Sequence, residues 1–187
     1  EIPLRLVGSE MCIRDRVGSQ IESISWMTAE GYAAALNSFV AQNHGAKNTD
    51  RIREGYRLSM IVMLSWGVFC SFVLIVFPQL IFQVFIQEAE VLPMGVDYLR
   101  ILGVSQLFMC MEITTAGAFS GLGKTLPPSI VSITLTGARI PMAILLGRWL
   151  GLNGVWWAIT ISSIGKGIVL LGLSLIHISE PTRRRGI

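Results

Sequence analysis

Leu58–Gln87 is a run of thirty residues without a single charged side chain. About twenty apolar residues suffice for a helix to cross the hydrocarbon core of a bilayer. A run this long and this apolar excludes an ordinary soluble domain. Pro78 lacks an N–H and breaks the run, so Leu58–Phe77 is expected to cross and LIFQVFI to lie along the interface. Composition agrees, with 52% hydrophobic and only 14% charged residues, well outside soluble averages. Four further apolar stretches follow the same pattern: Ile21–Gln42, Val96–Phe119, Ser129–Leu150 and Val155–Gly172. Backbone in lipid must satisfy its own hydrogen bonds. The expectation is an all-α integral membrane protein with five transmembrane helices and no sheet.

The connections set the orientation. Asn43–Arg57 carries Lys47, Arg51, Arg53 and Arg57 against Asp50 and Glu54, and Arg51, Glu54 and Arg57 are spaced for a short amphipathic helix. Glu88 and Glu90 form an acidic turn, Gly121–Pro128 a turn rich in Gly and Pro, and Gly151–Gly154 a last short one. The linker and Lys124 fall on one side, which the excess of basic residues marks as cytoplasmic. The C-terminal end falls there too, and Arg148 is the exception. Trp156 and Trp157 are placed as an interfacial anchor. Small residues at Gly31, Ala33, Ala34, Ala35 and Ser38 allow close helix packing.

Charges inside the spans carry the functional argument. An isolated charge at bilayer depth costs at least ~2.5–3.5 kcal/mol, so such residues face a protein interior or a watery path. Glu112 lies midway along its run and Arg139 midway along the next, two residues before Pro141. Glu112 is the leading candidate to bind a coupling ion or a substrate cation, with Glu30 second. Glu22, at the start of its run, reads as an interfacial or capping residue. Arg139 reads as a structural or cavity charge whose donors satisfy carbonyls freed by Pro141. Lys166 reads as another, able to snorkel toward the cytoplasmic end. Trp66, Phe69, Phe72 and Phe77 are expected to face lipid or pack the bundle.

The two ends have a different character. LVGSEMCIRDR at Leu6–Arg16 and LSLIHISEPTR at Leu173–Arg183 resemble the two strands of one sequencing adapter in translation. Residues 1–16 and 173–187 are therefore expected to be adapter-derived and to lack defined packing, leaving 17–172 as a partial C-terminal membrane bundle. These ends hold six of the fifteen basic and four of the twelve acidic side chains. The remainder is close to neutral, and no nucleic-acid partner is expected from the basic pI. Cys70 and Cys110 sit in apolar runs as packing residues. With no CxxC, HExxH, P-loop or GxSxG pattern, neither an enzyme nor a metal site is expected.

SQIESISWM, FVAQNHGAKNTDRIREGYR, AFSGLGKT and GARIPMA, taken in this order, resemble the multidrug and toxic compound extrusion (MATE) family of transporters. The turn after Phe119 keeps the family's two glycines, Gly121 and Gly123, and its threonine, and Pro141 stands in the Arg-x-Pro of the following helix. The likeness runs over essentially all of 17–172. It implies helices eight to twelve of a twelve-helix antiporter of two bundles, in a bacterial inner membrane, exchanging protons or sodium for small organic cations. It also implies a missing N-terminal bundle of the same chain, no cofactor beyond the coupling ion, and a role for Glu112 as the acidic residue of the tenth helix, about one turn from the usual place. A lipid-linked-sugar flippase of related fold, with a more cationic cavity, is the alternative, followed by a membrane scaffold without transport.

Overall fold

The structure is a computed structural model that describes residues 2–85 and 92–179, with the side chains of α1 taken from Ser19 onward. Six α-helices follow one another: α1 (Ile2–Gly45), α2 (Thr49–Val76), α3 (Pro78–Phe85), α4 (Leu92–Gly121), α5 (Leu126–Leu150) and α6 (Leu152–Ser174). A π-helical turn at Leu175–Ser179 closes the described chain, and no strand occurs among these residues. The acidic turn with Glu88 and Glu90 lies outside the described residues.

Among the described residues, four helical stretches are long and apolar enough to cross a membrane: Thr49–Val76, Gly95–Gly121, Leu126–Leu150 and Asn153–Ser174. The fifth expected crossing, Ile21–Gln42, lies within α1, which is long enough but is not among these four. The linker expected at Asn43–Arg57 is in fact much shorter. Asn48 caps α2 by accepting the N–H of Arg51 at 3.3 Å, so Arg51, Arg53 and Arg57 belong to the spanning helix itself. Arg and Glu are good helix formers, and no proline interrupts the stretch from Thr49 to Leu58. Pro78 does end α2 at the expected place, and α3 continues after a single bent residue.

α4 is the hub, packed against α1, α2, α3 and α6, whereas α5 packs appreciably on α6 alone. Contacts at Ser25–Gln106, Ala33–Gly117 and Val40–Gly121 show that α1 and α4 run parallel. Thr160 with Ile101 and Gly167 with Phe108 show the same for α6 and α4. α2 runs the other way, with Tyr56 on Thr115 and Ser71 on Gly103. So does α5, with Arg139 on Ser162 and Gly147 near Val155. α1, α4 and α6 therefore end together, beside the basic start of α2 and Lys124.

The stripe Ala29, Ala33, Leu36 and Val40 is the buried face of α1, at the helical spacing of three to four residues. It seats on glycines of α4. A Cβ on Gly117 would stand 2.7 Å from the carbonyl oxygen of Ala33, and backbone cannot swing aside as a side chain can. Gly117→Leu is therefore expected to destabilise the bundle by roughly 3 kcal/mol, the upper end for overpacking, seen as a lower melting temperature in detergent. An unchanged melt would show that α1 does not sit this close. Gly121 serves the same close approach, against Asn37 and Val40, and only Gly123, with φ +70°, uses glycine's left-handed freedom in the turn.

Two anchoring expectations are corrected. Trp156 is buried and meets Tyr98 edge-on at 5.2 Å, so only the partly exposed Trp157 remains near a boundary. The expected lack of packing after residue 172 does not hold for the described part. Ser174 and Ile178 are buried, and the carbonyl of Ile178 accepts from Arg53 Nε at 3.4 Å. Leu170, Ser174 and Ile178 recur every four residues, so they extend the inward face of α6 whatever their origin. Phe69, Phe72 and Phe77 point outward, as expected of a lipid-facing surface.

Candidate functional site

Five charges set inside the helices converge on one cavity. Glu22 and Glu30 come from α1, Glu112 from α4, Arg139 from α5 and Lys166 from α6. Five residues spread over some 145 positions of sequence thus share a space of about 640 Å³. That is within the ~300–1,000 Å³ range of sites for small organic molecules. Trp26, Met109, Ile113 and Ile159 supply apolar wall between the charges.

The helices explain the convergence. Glu22, Trp26 and Glu30 are spaced by four residues and so share one face of α1. Parallel packing sets Glu22 level with Gln106, near the middle of α4. The expectation of an interfacial Glu22 is thus wrong. α1 continues for many residues before it, so Glu22 is no longer at a helix start. Gln106, fully buried, holds this region together: its Oε1 accepts from Ser25 Oγ at 2.7 Å, and its Nε2 faces Glu22 Oε1 at 3.5 Å. Arg139 also acts electrostatically on Glu22. Gln106 carries no charge, and nothing in its apolar run distinguished it beforehand.

Glu112 is not alone. Its Oε1 lies 3.0 Å from Lys166 Nζ, with the two side chains only 16% and 11% exposed. The expectation that Lys166 snorkels is therefore overturned. Gly167 lets α6 come close to α4, since a Cβ there would sit 2.7 Å from the carbonyl oxygen of Phe108. At that approach the ammonium reaches a carboxylate at its own depth, which stabilises it more than a stretch toward water. Arg139 likewise departs from expectation. Its Nε donates to Ser162 Oγ on α6 at 2.9 Å rather than serving carbonyls near Pro141, which lies inside α5.

Glu30 is left over. Among the described residues it has neither an ion pair nor a hydrogen bond, and it is exposed at the cavity wall. With all groups ionised the cavity holds three carboxylates against two cations, an excess of one negative charge. No group of three or more His, Cys, Asp or Glu suited to holding a metal ion occurs among the described residues. A cavity of this size, with three carboxyl groups against two basic ones and walled by an indole and apolar side chains inside a membrane bundle, has the dimensions and chemistry to receive a small cation.

Residues 16–145 match the MatE family. The chain belongs to that family, the multidrug and toxic compound extrusion transporters. A probable multidrug resistance protein NorM of Thermotoga maritima is 30% identical over 160 residues, which cover 82% of this chain and 34% of that one. A protein of the same name from Mesorhizobium japonicum is 27% identical, over 84% of this chain and 35% of the relative. An inward-facing multidrug resistance MATE transporter of the MOP superfamily superposes with a TM-score of 0.81 at 20% identity, over 90% of this chain and 40% of that structure. The chain spans about a third of the length of the curated relatives it matches. Membership and the all-helical fold expected from the sequence both hold.

Proposed function

We propose that the chain forms the C-terminal part of a cation-coupled multidrug efflux antiporter, with Glu112 and Glu30 receiving the coupling ion or an organic cation. The observation that carries this reading is the gathering of Glu22, Glu30, Glu112, Arg139 and Lys166 on one cavity, three carboxyl groups against two basic ones. Glu22 adds a third carboxyl group to the cavity, and Trp26, four residues on, presents an indole to the same space. Carboxylates attract a cation through a poorly screened interior, and an aromatic face adds attraction for organic cations. Binding is competitive in this arrangement. A carboxylate buried in apolar surroundings needs one compensating charge, and proton, sodium or drug each supplies it.

Alternating access moves one bundle or repeat against another around a shared site. The helices supplied by the remainder of such a transporter complete the opposite wall; the family resemblance favours a bacterial inner membrane, and the loop charges favour a cytoplasmic C-terminal end. A lipid-linked-sugar flippase is less well supported, because an anionic headgroup would meet an excess of carboxylates. The test is gradient-driven efflux of a fluorescent organic cation from vesicles holding the complete transporter, comparing Glu112→Gln with Asp50→Asn. Loss in the first and not the second supports the proposal. Equal efflux in both overturns it.

A further inference from the structure

We propose that Lys166 is a tethered cation that occupies Glu112 when no external cation is bound, so that every coupling ion or substrate must displace it. The inference rests on the cation-site reading given above. Its own basis is the 3.0 Å contact between Lys166 Nζ and Glu112 Oε1 on the wall of the cavity. Two features mark the pair as displaceable. Both partners line open space, so a competing cation has room to approach Glu112. A second carboxylate, Glu30 of α1, without a partner among the described residues, lines the same cavity and can hold an arriving cation before the exchange.

The lysine stem is built for the movement. Lys166 has four rotatable methylenes and a compact ammonium rather than a rigid fork, and Ser163 on the same helix face also lines the cavity. Displacing the ammonium also changes how α4 and α6 are held together, since this pair is a direct charged link between them. Occupancy of the carboxylate is thereby linked to the helix packing that a transport cycle rearranges.

A tethered competitor weakens apparent affinity by the inverse of the fraction of sites it leaves open. If Lys166 holds Glu112 in about nine molecules of ten, removing it tightens external binding about tenfold. The experiment is equilibrium dialysis of labelled tetraphenylphosphonium with the complete transporter in detergent, for the wild type, Lys166→Gln, Glu112→Gln and the double variant. About tenfold tighter binding by Lys166→Gln, with the double variant as weak as Glu112→Gln, supports the inference. Unchanged or weaker binding by Lys166→Gln, with Glu112→Gln impaired, overturns it and leaves the cation site standing. Wild-type binding by Glu112→Gln overturns the cation site itself and the inference with it. Should Lys166→Gln fail to fold, the wild type still decides. Saturating tetraphenylphosphonium should raise the reaction of Lys166 with a membrane-permeant amine-reactive ester severalfold, read by mass spectrometry. Unchanged labelling despite bound cation overturns the inference.

Discussion

Glu112→Gln is expected to abolish cation-driven efflux while the protein still assembles in the membrane. Gln keeps the shape and the accepting oxygen of Glu but removes the charge that a proton, a sodium ion or a drug must neutralise. Truncating one partner of a buried charge pair costs about 2–5 kcal/mol, which puts the loss of cation affinity at roughly thirtyfold or more. Part of the effect in the single variant is the strain of leaving Lys166 without its carboxylate. Glu112→Gln with Lys166→Gln removes both charges, and efflux should stay lost while stability returns. Asp50→Asn is the control, because Asp50 is 92% exposed and meets Arg53 at only 3.7 Å. Exposed pairs of that kind contribute little. Gradient-driven efflux at matched protein levels checks the prediction.

Charge reversal is expected to have the largest effect on stability. Glu112→Lys sets two ammonium groups against each other in a largely buried position, and breaking a buried pair costs about 3–5 kcal/mol. Exchanging the partners, Glu112→Lys with Lys166→Glu, restores an attractive contact between α4 and α6 and should recover most of that loss. Thermal unfolding in detergent measures both. A double variant as unstable as the single one would mean that the two side chains do not meet.

The bundle was legible in the sequence because lipid imposes length and apolarity on each helix separately. The end of α2 at Pro78 and the turn at Gly123 followed from the residues at those points. The start of α2 did not. Charge in Arg51–Arg57 suggested a connector, whereas a cap at Asn48 and good helix formers simply lengthened the span. Setting residues 1–16 aside put the start of the first helix near Ile21, and this moved Glu22 from mid-depth to an apparent boundary. Trp156 looked like an anchor because the dipeptide with Trp157 hides which of the two faces Tyr98.

Site residues were legible one at a time, and their relations were not. Charge inside an apolar run singled out Glu30, Glu112, Arg139 and Lys166. That Lys166 meets Glu112 depends on α4 and α6 running parallel in one register, set by the close approach of Gly167 to Phe108. Gln106 gave no signal at all, since a lone amide in an apolar run is common. One signal was available and passed over. Glu22, Trp26 and Glu30 repeat at intervals of four, and that alone puts two carboxylates and an indole on one face of α1.

Photolabelling tests the central claim most directly, namely that an organic cation sits in the cavity bounded by α1, α4, α5 and α6. A photoactivatable organic cation is bound to the complete transporter, irradiated with and without excess unlabelled tetraphenylphosphonium, and mapped by peptide sequencing. The account predicts adducts at Trp26, Met109 and Ile113 that the unlabelled cation suppresses. Adducts confined to the outward side chains of α5, such as Ile133 and Leu145 at 73% and 61% exposure, or cavity adducts that excess cation leaves unchanged, would contradict it.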